Sequence, residues 1–272
     1  MNNAREHYNK GSHGYAEKWE NINIDPDDPR NYFRKRLMEV VLKMSAPLSS
    51  NTRVVEIGCG NGLVLREVLK YTNKVFGTDI AIEMLRRVAD TTLKDKKVVI
   101  TDNFLNLGDN DAEVILKEND FLNLDLPGNY FDRILSVEVL RYIDDIDICF
   151  KKCRAIMKQD SLFIFTTTNL WSFSLFPIKY SIRKALGIVD SKMELSQYFV
   201  TEKLLRGKLK KSGLRIVGFK RVGFLSMNPI ARKFIRGEKL SAKIYDIDRV
   251  LAHIPILRNF FDTFIVAAKH LS

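Results

Sequence analysis

The feature that most constrains this chain is a cluster of glycines at positions 58, 60 and 62, directly after a short β-branched segment. Residues 53–57 have the composition of a buried strand, and apolar residues at helical spacing begin at Leu63. Glycines permit a tight turn and a close approach of a ligand to the backbone, and the following helix N-terminus offers free N–H donors. The segment therefore predicts a strand, a turn and a helix that together bind an anionic group.

Two common nucleotide-binding motifs do not fit this segment. The dinucleotide motif GxGxxG would need a third glycine where the chain has Leu63, and no GxxxxGK(S/T) phosphate loop occurs. Asp79 lies 17 residues after Gly62, at the end of the next predicted strand. A carboxylate at this position accepts hydrogen bonds from both hydroxyls of a ribose. The pattern argues against NAD and ATP but still indicates a ligand that contains adenosine.

Strands and helices alternate along most of the chain, which predicts a parallel sheet with right-handed crossovers. The predicted fold class is α/β: a Rossmann-like, doubly wound, mainly parallel seven-stranded sheet with helical cap insertions. Residues 98–100 are interpreted as a short strand within an insertion before the third main strand. The main predicted strands are 53–57, 74–79, 113–116, 131–136, 161–166, 215–222 and 263–268, and the main predicted helices are 31–44, 82–89, 145–157 and 201–213, with one more from residue 63.

Residues 54–62 resemble motif I of the class I S-adenosylmethionine (SAM) dependent methyltransferases. Three further segments follow in the order of that family. Residues 77–80 are similar to its ribose motif, 119–121 to its adenine motif and 131–140 to its fourth-strand segment. The resemblance covers residues 50–169 and is closest to the broad small-molecule branch, which includes quinone-biosynthetic, sugar and natural-product methyltransferases. It implies SAM as the cofactor and methyl transfer as the activity.

The resemblance also implies roles for individual residues. The glycines would line the methionine part of SAM, Asp79 would hold the ribose, and Asp120 with Phe121 would bind and cover the adenine. Glu56 would order the turn from beneath. The alternative for Glu56 and Asp120 is an ordinary strand-end acid bonded to nearby backbone N–H groups, and for Ile80 and Met84 it is helix packing. The candidate cofactor-binding residues are Tyr15, Glu56, Gly58, Cys59, Gly60, Asn61, Gly62, Asp79, Ile80, Met84, Asp120, Phe121 and Val137.

Three regions are predicted along the chain. Residues 1–46 form an N-terminal arm and helix that close over the cofactor, and residues 47–169 form the SAM-binding core. Residues 170–272 form a cap on the acceptor side together with C-terminal strands that complete the same sheet. In the arm, Tyr15 and Trp19 are candidates to cover the cofactor, and packing of their rings on the domain surface is the open alternative.

No catalytic residue is assigned from the sequence. Arg141 and Tyr142 stand where relatives often carry Glu-His, so no histidine is carried over from the family. Methyl transfer from SAM needs a base only when the acceptor is a hydroxyl that must lose a proton. A lone histidine is more often a surface or packed residue than a base, and of the four in this chain only His13, in the arm, is kept as a candidate base.

A metal site is also not predicted. Asp144, Asp145 and Asp147 cluster after the fourth main strand, which is the one observation that favours a metal. Asp144 and Asp145, however, stand where a helix N-cap and first turn are expected, and acids there satisfy free N–H groups without an ion.

Charge and cysteine content bear on partners and location. The net charge of +11 is matched by residues 202–243 alone, which hold 13 basic and 2 acidic residues. These charges either attract an anionic partner or lie on solvated helix faces. Three cysteines without metal or redox spacing, an N-terminus unlike a signal peptide and no long apolar run predict a reducing, cytoplasmic setting.

Three functions remain open. The first is a SAM-dependent methyltransferase that modifies an O or N atom of a small-molecule acceptor. The second is a methyltransferase acting on a lipid, quinone-like or RNA acceptor docked by the basic C-terminal third, and the third is a non-catalytic SAM-binding module.

The predicted partner is a small-molecule acceptor. Peripheral contact with an anionic membrane surface or a phosphorylated substrate stays open, and nucleic acid is less favoured. A basic amphipathic stretch at 170–189 could lie on a membrane or pack on the domain as a lid.

Overall fold

The computed structural model describes residues 5–10, 29–102, 112–188 and 197–271. Within these residues eight strands form one sheet in the order β3-β4-β2-β1-β5-β6-β8-β7. Only β8 runs antiparallel to its neighbours, β6 and β7. The strands are β1 (Val54–Ile57), β2 (Val75–Asp79), β3 (Val98–Ile100), β4 (Val114–Glu118), β5 (Phe131–Ser136), β6 (Met157–Thr168), β7 (Leu214–Val222) and β8 (Thr263–His270).

Helices cover both faces of this sheet, which confirms the doubly wound α/β class. The protein has two separate hydrophobic cores, one around Phe131, Phe150 and Phe163 and the other around Val41, Leu65 and Leu85. Every residue of β1 and β2 is buried, as expected for parallel strands covered on both faces. The helices are α1 (residues 5–10), α2 (Pro29–Ser45), α3 (Leu63–Val68), α4 (Ile82–Arg87), α5 (Ile146–Ile156), α6 (Phe176–Ala185), α7 (Glu202–Lys211) and α8 (Glu238–Leu251).

The sheet has one strand more than the seven predicted. The additional strand is β3, which the sequence pattern placed in an insertion. It pairs in parallel with β4, with Val98 opposite Val114 and Ile100 opposite Leu116, and so forms the edge of the main sheet. Val98 and Val99 are partly buried and Ile100 is exposed, as expected for a short strand at the edge of a sheet.

The carboxyl ends of the parallel strands gather the loops that matter for function. Thr168 at the end of β6 pairs with Thr263 at the start of β8, which also pairs with Val222 at the end of β7. The segments 169–188 and 223–262 therefore both leave the sheet at this carboxyl edge. No helix in the described part of the chain is both long and apolar enough to cross a bilayer.

Candidate active site

The glycine turn after β1 owes its residue types to backbone conformation and to packing. Gly58, Gly60 and Gly62 have φ values of 75°, 51° and 74°, in the left-handed region that other residues adopt at a cost. A Cβ at position 58 would clash with the side chain of Val139. A Cβ at position 62 would lie 2.7 Å from Cγ1 of Val88. Two of the three glycines are therefore required by close packing as well as by the turn.

Hydrogen bonds tie this turn to the end of β2. The N–H groups of Gly58 and Cys59 both donate to the carbonyl oxygen of Thr78, at 2.7 and 2.8 Å. The Gly60 N–H donates to Oδ2 of Asp79 at 2.9 Å, and the Ala81 N–H donates to Oδ1 at 3.0 Å. The Asp79 carboxylate is thus held at the strand tip by main-chain donors. A carboxylate has about four acceptor positions, so positions remain for ribose hydroxyls.

Burial governs the acidity of the two acids near the turn. It raises the pKa of Asp79 above its ordinary value, although the backbone N–H groups of Ala81, Gly60 and Ile80 oppose the shift. Burial likewise raises the pKa of Glu56 well above its ordinary value, the negative charge of Asp79 adds to the shift, and the Leu65 N–H opposes it. Oε2 of Glu56 is buried without a hydrogen-bond partner. Glu56 is thus a buried acid of β1 two residues before Gly58, and its role in ordering the turn stays a prediction.

A second acid lies at the end of β4. Oδ1 of Asp120 accepts a hydrogen bond from the Leu122 N–H at 2.9 Å and caps a short helical turn, Phe121–Asn123. The ring of Phe121 is buried below this turn. The arrangement places a carboxylate and an aromatic ring side by side at the same sheet edge as Asp79.

These elements enclose a cavity of about 270 Å³. Eight candidate cofactor-binding residues line it, whereas Glu56, Cys59, Asn61 and Gly62 do not. Tyr15, like Trp19 and His13, lies outside the described residues. The predicted residues on the cavity wall are Gly58, Gly60, Asp79, Ile80, Met84, Asp120, Phe121 and Val137.

Behind the turn, Asn61 and Gly62 contact the segment that follows α4. The predicted helix 82–89 ends earlier, at Arg87, and continues as a wider helical turn, Val88–Thr92. Within it, Val88 occupies the space beside Gly62, and Thr92 donates its hydroxyl hydrogen to the Asn61 carbonyl at 2.7 Å. This wider turn supports the glycine turn from the side away from the cavity.

The other end of the cavity contains residues to which the sequence analysis gave no role. Glu138 has φ of 60°, which is strained for a residue with a side chain, and lies on the cavity wall. Its N–H donates to Oγ1 of Thr166 at 2.7 Å, and its carboxylate pairs with the guanidinium of Arg141 at 3.2 Å. One sequence signal could have singled it out: it is the only charged residue in the apolar run 137–140.

An aromatic pair closes this end. The rings of Tyr8 and Tyr142 meet edge to face with centroids 6.2 Å apart, and both residues line the cavity. Tyr8, in the N-terminal segment, thus contributes an aromatic ring to the cavity wall. Arg141 donates from Nη2 to the Tyr142 hydroxyl at 2.7 Å, which links the pair to Glu138.

The aspartate cluster behaves as helix-capping chemistry predicts. Oδ1 of Asp145 accepts hydrogen bonds from the N–H groups of Asp147 and Ile148, at 3.1 and 3.3 Å, and so caps α5. Asp147 forms an ion pair with Lys208 at 2.7 Å. Over the ranges that the structure describes, no group of three or more acidic, histidine or cysteine side chains is arranged to hold a metal ion.

The comparisons with known proteins agree on the family. Residues 55–165 match the family model described as "Methyltransferase domain". A ubiquinone biosynthesis O-methyltransferase of Bartonella tribocorum is 24% identical over 174 residues, which are 61% of this chain and 62% of the relative. A malonyl-[acyl-carrier protein] O-methyltransferase of Geobacter sulfurreducens is 26% identical over 210 residues, or 76% of this chain and 72% of the relative.

A solved structure supports the same fold. The phosphoethanolamine N-methyltransferase 2 of Haemonchus contortus, in complex with phosphomonomethylethanolamine and S-adenosylhomocysteine, has a TM-score of 0.58 and 16% identity. The superposition covers 87% of this chain and 53% of that one. With four motifs in register on this sheet, residues 55–165 form a methyltransferase domain of the class I SAM-dependent type. The matches span less than two thirds of the Bartonella and Haemonchus proteins.

The residues of the cavity fit SAM, the cofactor of this family. Gly58 and Gly60 provide a wall without side chains, against which the methionine part could lie close to the backbone. Asp79 retains acceptor positions toward the cavity, and Asp120 and Phe121 provide a polar edge and a flat apolar surface. That each of these residues contacts the cofactor remains a prediction.

Proposed function

We propose that this protein transfers a methyl group from SAM to an O or N atom of a small-molecule acceptor. The observation that carries the proposal is the set of residues that line the cavity at the carboxyl edge. Its wall combines the glycine turn, Asp79 and Asp120, which we term the cofactor end, with Glu138, Tyr142 and Tyr8, which we term the acceptor end. An acceptor beside Glu138 would adjoin a cofactor at the glycine turn, because Val139 lies directly against Gly58.

The residues at the acceptor end would align and hydrogen-bond the reacting group. When bound, SAM supplies an activated methyl group with its own leaving group, so alignment is the main requirement of the reaction. Thr166 and Arg141 hold Glu138 in its strained conformation. From there the Glu138 carboxylate would accept a hydrogen bond from the acceptor O–H or N–H and take up its proton where one must leave.

The similar proteins allow both acceptor atoms. The Bartonella and Geobacter proteins are named as O-methyltransferases, and the Haemonchus protein as an N-methyltransferase. A cavity of about 270 Å³ is at the lower end of ordinary ligand pockets. With the cofactor in place, it suits the reacting end of an acceptor better than a bulky molecule as a whole.

Labelled SAM added to a cell extract with the purified protein tests the proposal. Mass spectrometry should detect a labelled small molecule that is absent when Asp79→Ala replaces the native protein. Tight SAM binding without any labelled product, across extracts and acceptor panels, would favour the non-catalytic SAM-binding module instead.

The variant Glu138→Gln then separates the two acceptor atoms. A positioned base contributes about 10²–10⁴-fold to rate, so turnover on a hydroxyl acceptor should fall by roughly that factor while SAM affinity is unchanged. A neutral amine acceptor should lose far less. Glu83→Gln, an exposed acid on α4, is the matched control and should leave both quantities unaltered.

An acceptor docked by the basic segment 202–243 is the second candidate. Six basic residues of this segment are divided by the topology: Lys208, Lys210 and Lys211 precede β7, whereas Arg232, Lys233 and Arg236 follow it. Lys210 and Lys211 lie next to the start of β7, whose nine residues span about 30 Å, whereas Lys208 pairs with Asp147, two residues from Asp145 on the cavity wall. Lys210 and Lys211 are thus separated from the second group by about the length of β7, which weighs against a long RNA footprint across all six.

A further inference from the structure

Three segments at the carboxyl edge carry most of the exposed apolar surface. They are residues 170–188, 224–236 and 254–261, and together they form what we term the edge surface. Of the 22 large hydrophobic side chains that are exposed among the described residues, 13 lie on these 40 residues. Ile182, Leu186, Ile230, Phe234 and Ile256 are each at least 55% exposed. Contiguous apolar exposure of this kind marks an interaction site.

The three segments pack against one another, so the edge surface is continuous. The ring of Phe173 stacks on the ring of Phe224 with centroids 4.9 Å apart, and the main-chain N–H of Phe173 donates to the carbonyl oxygen of Phe260 at 2.8 Å. The hydroxyls of Ser172 and Ser174 donate to the buried carboxylate of Asp262 at 2.6 and 2.8 Å. These contacts fix the start of α6 against the other two segments.

The charge of the edge surface has one sign. Its 40 residues include seven lysines and arginines and neither aspartate nor glutamate. Lys179 and Lys184 on α6 and Lys233 and Arg236 in the second segment are exposed beside the apolar side chains. A second copy of the chain would bring like charges together. An anionic lipid surface satisfies both the apolar and the basic side chains, since basic amphipathic helices lie in the headgroup region of bilayers.

We propose that the edge surface docks this protein on an anionic lipid bilayer. In the docked state, the apolar side chains enter the interfacial layer and the lysines and arginines lie among the anionic headgroups. The residues after α6 connect this surface to the cavity: Phe199 packs between Phe176 and Tyr180, and the Tyr198 N–H donates to the Arg141 carbonyl at 2.6 Å. The edge surface therefore adjoins the end of the cavity that contains Glu138.

This position indicates the chemical class of the acceptor. An amphiphile anchored in the bilayer could present its polar end to the cavity while its apolar part stays in the lipid, which suits a cavity of this size. The assignment of the acceptor rests on the proposed methyl transfer. The docking itself does not, and the two can fail separately.

Vesicle flotation of the full chain tests the charged part of the surface. Binding is expected on phosphatidylcholine vesicles containing about one quarter phosphatidylglycerol, with little on phosphatidylcholine alone, and it should weaken with added salt. Lys179→Glu/Lys184→Glu should lower the affinity by on the order of thirtyfold or more, since each basic residue near the surface contributes about 1 kcal/mol. Lys210→Glu/Lys211→Glu makes the same charge change at the far end of the sheet and should retain most of the binding. Equal losses in the two variants would overturn the proposal.

A second pair of variants tests the apolar part. Ile182→Asp should abolish flotation. The control is Tyr71→Asp, in the turn after α3, whose side chain has the same 55% exposure, and it should leave flotation unchanged. Absence of flotation by the native protein, or a native dimer in sedimentation that Ile182→Asp dissociates, would overturn the proposal. On the same samples, calorimetry measures SAM affinity, and methyl transfer from labelled SAM in cell extract measures turnover. Flotation without any turnover would refute the proposed methyl transfer and leave the docking intact.

Discussion

The cofactor end of the cavity and the edge surface are held in place by different kinds of contact. At the cofactor end, main-chain N–H groups bond the turn to Thr78 and Asp79, and the glycines leave no room for side chains. At the edge surface, a few side-chain bonds to Asp262 pin segments whose apolar residues face outward. The cofactor end therefore depends on backbone geometry, whereas the edge surface depends on side-chain contacts.

A pair of glycine substitutions gives the sharpest contrast between the two regions. Gly58 and Gly187 have similar φ values of 75° and 68°, but a Cβ would clash with Val139 at the first and meet nothing within 4 Å at the second. Gly58→Ala should add a packing penalty of about 1–3 kcal/mol to the backbone strain. Gly187→Ala should show only the strain, about 1–2 kcal/mol. Urea unfolding of both variants measures the difference, and equal losses would contradict it.

The next largest effect concerns the acid that anchors the cofactor end. Asp79→Ala should weaken SAM binding by about 2 kcal/mol, the scale of lost charge-assisted hydrogen bonds. Asp248 is a buried acid of the other region, where it accepts bonds from the N–H groups of Phe224 and Leu225. Asp248→Asn should lower stability without changing SAM affinity. Calorimetry on the folded proteins measures the SAM affinity of both variants. Unchanged affinity in Asp79→Ala would remove this residue from the site.

A smaller effect should appear in the pH dependence of stability. Because the pKa of Glu56 is raised in the folded protein, the folded state keeps a proton that the unfolded state releases above about pH 4.3. The stabilisation is complete below that pH and is lost as the pH rises toward the folded pKa. In the absence of SAM, the melting temperature of Glu56→Gln should therefore fall less between pH 5 and 8 than that of the native protein.

Glu202 provides the control of opposite sign for this experiment. Burial alone would raise the pKa of Glu202, but bonds from Arg206 and Arg221 lower it below its ordinary value. Its stabilisation is present above the unfolded pKa and lost as the pH falls through the folded pKa. Glu202→Gln should thus run parallel to the native protein between pH 5 and 8 and differ by a constant offset. Parallel curves for Glu56→Gln as well would refute the role of burial at Glu56.

The smallest expected effect is that of metal removal. Asp145 caps α5 and Asp147 pairs with Lys208, so the aspartates beside the cavity already have partners within the protein. Turnover should therefore survive exhaustive treatment with EDTA. Loss of turnover that magnesium restores, at unchanged SAM affinity, would make this cluster part of the active site.

Local chemistry explains why much of the fold was predictable. The buried strands β1 and β2, the capping of α5 by Asp145 and the capping of α7 by Thr201 all depend on residues close in sequence. The short edge strand β3 was misjudged as part of an insertion because its pairing with β4 is decided by contacts distant along the chain. The early end of α4 was missed for the same reason, since Val88 is positioned by its packing beside Gly62.

By itself, the sequence determined the class of protein and predicted the residues of the cofactor end, because glycine spacing and strand-end acids express backbone requirements that a short segment contains. Only the tertiary structure decided the acceptor end. Glu138 meets Thr166 there because β5 and β6 are neighbours in the sheet, whereas its ion pair with Arg141 joins residues three apart in sequence. The edge surface likewise joins segments up to about 90 residues apart in sequence, which adjoin because β6, β7 and β8 share one edge.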